Sequence, residues 1–132
     1  MRERLTRPRI EAALAELLAA HPDYDVRPRW EEGGDGALCI VLDERGVATV
    51  GTAERGLIRD PHRTSDMDDL LYKAFEYATF IRAMHDELRT RQNHPDADPF
   101  ERMMAIHAER LRRIRPHWGE RRRREHAAAM GR

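Results

Sequence analysis

The residues of this chain that could do chemistry are its histidines, its clustered carboxylates and one run of arginines. His85 and His107 flank a proline-bracketed loop centred near residue 95, so an antiparallel helix pair would hold them at a similar height. Two imidazoles can begin a zinc site, but such a site takes three or four ligands, and no third has suitable spacing. Core or boundary histidines held by hydrogen bonds are the simpler expectation. His94, Asp96 and Asp98 fall in the loop itself, where turns and helix caps use them. No His-Glu-x-x-His motif, cysteine pair or Gly-x-Ser-x-Gly elbow occurs. Gly33-Gly34-Asp35-Gly36 lacks the Lys-Ser/Thr ending of a phosphate loop and precedes a strand, so it reads as a turn. The expectation is a chain with no catalytic residues, no metal and no cofactor.

Charge offers more. Acids and bases balance at 24 each, which disfavours a dedicated polyanion binder. The balance hides an asymmetry: residues 1–99 carry 14 basic and 20 acidic side chains, and residues 100–132 carry 10 and 4. Arg121-Arg122-Arg123-Arg124 could touch phosphates, which makes a small nucleic-acid-associated regulator, using a basic C-terminal helix, the alternative function. Four consecutive arginines on a helix point in all directions, however, and form no single groove-reading face. The acidic positions group in loops: Glu31, Glu32 and Asp35 in one, Asp43 and Glu44 in another, Glu54 and Asp60 near the last strand. Meeting at one end of a sheet, they would form a negative surface that steers a basic protein partner.

The elements that must position these groups follow from periodicity. Ile10, Leu14, Leu17 and Leu18 share one face of a helix over residues 7–20, capped by Thr6 and stopped by His21-Pro22. Alternation over residues 24–31 predicts a half-buried strand, confined to an edge or bulge by Pro28. Residues 37–42 form a continuous apolar run that reads as a central strand. Its faces must be covered by the chain's own helices or by a second subunit, so a homodimer is open. Cys39, inside that run, is expected to be a buried hydrophobe. Residues 47–53 follow as the next strand, antiparallel, with a brief fourth at Leu57-Ile58.

A long helix then opens at Ser65, with Asp68 completing a capping box, and runs to about Arg91. Its apolar stripe is Leu70, Ala74, Tyr77, Ile81, Met84 and Leu88, spaced as a face that buries itself. Asp98-Pro99-Phe100-Glu101 starts a second helix with Phe100, Met104, His107, Leu111 and Ile114 inward, and Pro116 ends it near Arg115. A final helix spans residues 116–129. The fold class is α+β, one domain over residues 1–132, with the sheet in about 23–60 and the helices in about 65–130. A lone cysteine, a charged N-terminus and no run of ~20 apolar residues place it in the cytoplasm.

From Thr52 to about Arg122 the chain resembles the Immunity protein 63 family of bacterial polymorphic toxin systems. The resemblance rests on Glu54-Arg55-Gly56 closing a strand, the helix opening Thr64 to Tyr72, then Phe75, Thr79, Glu87-Leu88 and Arg91. It continues through Asp98 and Arg102 to the Pro-x-Trp element Pro116-His117-Trp118. It implies an α+β protein, encoded beside a toxin, that binds and neutralises that toxin. Glu54, Arg55, Gly56, Tyr72 and Trp118 are then the family-signature residues. Glu31, Glu32, Asp35, Asp43 and Glu44 remain the partner contacts expected from charge.

Overall fold

The computed structural model describes residues 4–33 and 36–132, so Asp35 lies outside the described residues. The chain folds as α1 (Arg7–Ala20), β1 (Leu38–Leu42), β2 (Ala48–Glu54), β3 (Leu57–Thr64), α2 (Met67–Thr90), a single 3₁₀ turn (Arg91–Asn93), α3 (Pro99–Ile114) and α4 (Pro116–Ala129). This is an α+β fold. It divides into two compact units, Met1–Phe75 and Glu76–Arg132, with the boundary inside α2.

In the first unit, α1 starts as expected, with the Thr6 hydroxyl accepting the Arg9 N–H and Pro8 in the first turn. The sheet is antiparallel, in the order β1-β2-β3. β2 is therefore the middle strand, and the apolar run is the edge. The run is nevertheless covered on both faces: Cys39 and Ile40, adjacent and opposed, are both fully buried. The segment over residues 24–31 does not become a strand. Only Arg29 bridges to β1, donating to the Leu38 carbonyl at 2.7 Å and accepting from the Ile40 N–H at 2.8 Å. Pro28 has no N–H with which to extend the ladder.

β3 is long rather than brief, and it carries a bulge. Val50 faces His62 and Thr52 faces Arg59, so Asp60 and Pro61 together oppose Gly51. Asp60 takes a positive φ of 45° there. A bulge with a proline on an edge strand blunts it against pairing with other chains.

Two turns join the strands. Between β1 and β2 the Asp43 carboxylate accepts the N–H groups of Arg45 (2.8 Å) and Val47 (3.0 Å), and Gly46 closes the loop at φ 80°. Between β2 and β3, Arg55 and Gly56 have φ values of 53° and 82°. Positive φ at both central residues is the mark of a type I′ hairpin turn, whose twist matches the flanking strands. An arginine in that geometry is strained by about 1–2 kcal/mol. Arg55→Asn is therefore expected to stabilise the protein by about 0.5–1 kcal/mol in urea denaturation. An unchanged or lowered midpoint would contradict the turn assignment.

The cap of α2 is Asp66, not Ser65. Its carboxylate accepts the Asp69 N–H at 2.9 Å, while the Thr64 hydroxyl accepts the Asp66 N–H at 3.1 Å. The first half of α2 buries Leu70, Leu71, Tyr72, Ala74 and Phe75, and Tyr24 meets Phe75 edge-on at 6.2 Å. The second half departs from the expected stripe. Thr79, Ala83 and Glu87 are buried, whereas Tyr77 and Leu88 are 50% and 54% exposed. The buried face has rotated because α3 packs on the Thr79–Glu87 side.

The second unit contains that half of α2 with α3 and α4. Asp98 caps α3, accepting from Phe100 (2.9 Å) and Glu101 (3.4 Å), with Pro99 in the first turn. His107, Ala108 and Leu111 are buried as the periodicity requires, but Phe100 is half exposed. α4 packs closely on α3 at Gly119. A Cβ there would sit 2.7 Å from the Arg112 Cβ and 2.9 Å from the Ala108 carbonyl oxygen. Trp118, its neighbour, is fully buried.

Candidate functional site

His107 and His85 do not form a site together. His107 is 2% exposed, and its Nε2–H donates to the Glu76 carbonyl at 3.0 Å, with the Thr79 hydroxyl 2.9 Å from the same nitrogen. His85 is exposed and lies on a different face of α2 from Thr79, Asp86 and Thr90, the positions that α3 contacts, so the helix pair does not bring the two rings together. Burial holds the His107 pKa down at about 4, and the Arg122 charge adds to the effect. His107 is a neutral core histidine. Among the described residues no group of three or more His, Cys, Asp or Glu could hold a metal ion.

The buried carboxylate of Glu87 is likewise internal rather than solvated. Arg91 Nε donates to it at 3.0 Å, and Arg102 lies 3.9 Å away. The Arg91 hydrogen bond keeps its pKa below the usual range. Arg102 also donates to the Thr90 hydroxyl at 2.6 Å, and Arg110 pairs with Asp86 at 2.6 Å. Three of the four consecutive arginines of α4 also have carboxylate partners: Arg121 with Glu125, Arg122 with Glu76 and Glu125, Arg123 with Glu120. Much of the basic tail is thus paired within its own unit, which leaves fewer guanidinium groups for phosphate contacts.

Gly36 donates to the Ala53 carbonyl at 2.7 Å, so the chain rejoins the sheet at the end that holds the Glu54–Leu57 hairpin. Arg29, just before Trp30 and Glu31, bridges to Cys39 of β1 in the parallel sense. Asp43 and Glu44 lie in the turn that follows β1. Asp43 is further committed to its turn: the Val47 N–H, above all, lowers its pKa. Glu31 lines a shallow depression with Arg7, Arg29 and Trp30, and the Arg7 guanidinium lies 4.9 Å from the Trp30 ring centre. An apolar groove of Leu14, Leu18, Val26 and Pro28 runs up to the other side of Trp30. Exposed Glu54 pairs with Arg59 at 2.9 Å. Tryptophan flanked by arginines and carboxylates is the composition of an interface hot spot.

The signature residues divide by environment. Tyr72 and Trp118 are fully buried and hold the two units' cores. Glu54-Arg55-Gly56 forms the exposed hairpin turn. The family model for Immunity protein 63 matches residues 48–128, from the start of β2 through nearly all of α4. The chain belongs to the Immunity protein 63 family. The match takes in the hairpin, the whole of α2 and the α3–α4 pair, but not α1, Trp30 or β1. No curated protein and no solved structure matches the chain. This Immunity protein 63 member has no helix, among the described residues, long and apolar enough to cross a membrane.

Proposed function

We propose that this protein is an immunity protein that binds the toxin encoded beside it and neutralises it by occlusion, without chemistry of its own. Family membership over residues 48–128 carries the reading. Its pairing of charged groups within the fold agrees with it, since such groups serve the scaffold. The toxin is proposed to dock at the face where Glu31 adjoins Trp30, with Glu32, Asp35, Asp43 and Glu44 as the further acidic contacts. Shape fit around the tryptophan supplies affinity, and the carboxylates steer a basic toxin face.

Co-expression with the toxin domain of the neighbouring gene tests the function: cells carrying both should grow, and cells carrying the toxin alone should not. Glu31→Lys with Glu32→Lys is expected to weaken binding about tenfold or more, chiefly through the on-rate at low salt. Protection with unchanged affinity in this variant would keep the function and remove the proposed face.

A further inference from the structure

The β2–β3 hairpin carries two features that are unfavourable in the free protein, and both sit at its tip. The first is Arg55, at φ 53° in the first central position of the turn. Among the described residues the non-glycine positions with positive φ are Arg55 and Asp60. A short aspartate side chain can bond to the local backbone and ease that geometry; an arginine cannot. Asn-Gly or Asp-Gly would make the same turn without the strain. Packing does not impose the arginine either, since a Cβ at Gly56 would meet nothing within 4 Å.

The second feature is Leu57, which is 66% exposed, more than any other large apolar side chain among the described residues. It lies opposite Glu54 across the hairpin, so Glu54, Leu57 and Arg59 share one face. On that face Glu54 and Arg59 satisfy each other. Arg59 donates from Nε at 2.9 Å and from Nη2 at 3.0 Å, one bond to each carboxylate oxygen. The flank is thus closed electrically, and the tip presents an exposed arginine beside an exposed leucine. A guanidinium fork matches a carboxylate with two parallel hydrogen bonds, and covering a leucine is favourable in itself. One partner supplying both would offset both costs.

The hairpin's place points to that partner. It lies within residues 48–128, the stretch matched by the Immunity protein 63 model, on which the toxin reading rests. Gly36, at the end of the acidic loop, donates to the Ala53 carbonyl at 2.7 Å, and Ala53 donates to the Ala37 carbonyl at 2.8 Å. These bonds set the base of the hairpin beside the acidic loop's end. We infer that the hairpin tip is a toxin contact, with Arg55 placed for a carboxylate in a toxin cleft and Leu57 against that cleft's apolar wall. This rests on the toxin reading and adds the element that enters the partner. It requires an acidic group within the toxin's otherwise basic face.

Titration of the wild-type chain, Arg55→Asn and Leu57→Ser into the toxin domain encoded beside it tests the inference. Arg55→Asn should bind at least about tenfold more weakly while its urea midpoint rises, because asparagine suits the turn better than arginine does. A residue that served only the fold could not give that pair of results. Leu57→Ser should lose a similar factor with its circular dichroism unchanged. Wild-type affinity in either variant would overturn the inference and leave the toxin reading standing. Weaker binding of Arg55→Asn with a lowered urea midpoint would also overturn it, since the loss would then belong to folding. No binding by the wild-type chain would sink both.

Discussion

Trp118→Ala is expected to cost about 3–5 kcal/mol of unfolding free energy. The indole is fully buried near the start of α4, and the Arg115 guanidinium packs 5.2 Å from its ring centre. Gly119, the next residue, lets α4 approach the α3 backbone closely, so little can move in to fill the space an alanine leaves. Domains of this size have about 5–15 kcal/mol in total, so the variant should be marginal at 37 °C. Trp118→Phe keeps much of the apolar volume and should lose less. Urea denaturation of the three proteins decides the matter. A loss below about 1 kcal/mol for the alanine variant would mean that Trp118 is not a core residue, whatever its place in the family pattern.

The second large effect is on pH. His107 is neutral in the folded state, with its pKa lowered from 6.5 to about 4 by burial and by Arg122, against the opposing pull of the Glu76 carbonyl and Glu125. An unfolded chain takes up a proton near pH 6.5, and the folded chain does so only near pH 4. Between those values the unfolded state binds more protons, so stability falls as pH falls. It is fully present above 6.5, and the total lost by pH 4 is about 3 kcal/mol. In His107→Gln this contribution should vanish, so its unfolding free energy should show a shallower slope than wild type from neutral pH down to about 4. Urea midpoints at a series of pH values give the comparison. Parallel profiles for the two proteins would contradict the assignment.

The helices were legible because their ends carry strong local signals. Thr6 with Pro8, Asp98 with Pro99, and Pro116 after Arg115 mark boundaries that the structure reproduces. The sheet was less so. The apolar run at residues 37–42 is covered on both faces like a middle strand, yet it is an edge strand, because burial of a strand does not reveal its neighbours. Residues 24–31 alternate like a strand, but pairing depends on backbone groups, and Pro28 removes one.

The harder miss lies in α2. Its apolar spacing is a true helical stripe, but half of that stripe is exposed, and the buried face of the same segment holds Thr79, Ala83 and Glu87. Periodicity weighs Ala, Thr and Glu as poor core residues. The Thr79 hydroxyl, which donates to the Glu76 carbonyl beside His107 Nε2, and the Arg91 pairing of Glu87 make them acceptable inside. A polar residue with a partner far along the chain cannot be recognised from local sequence. Glu54-Arg55-Gly56 was legible as the end of a strand, and the structure shows that Arg55 shares with Gly56 the positive φ of a tight hairpin turn.

Calorimetric titration of the full chain into the toxin domain encoded by its neighbouring gene, with toxin activity assayed at each point, most directly tests whether this molecule works by grasping a protein. A saturable complex, with activity falling in proportion to occupancy, is the expected result. Full toxin activity in the presence of excess chain, with no heat of association, would contradict it.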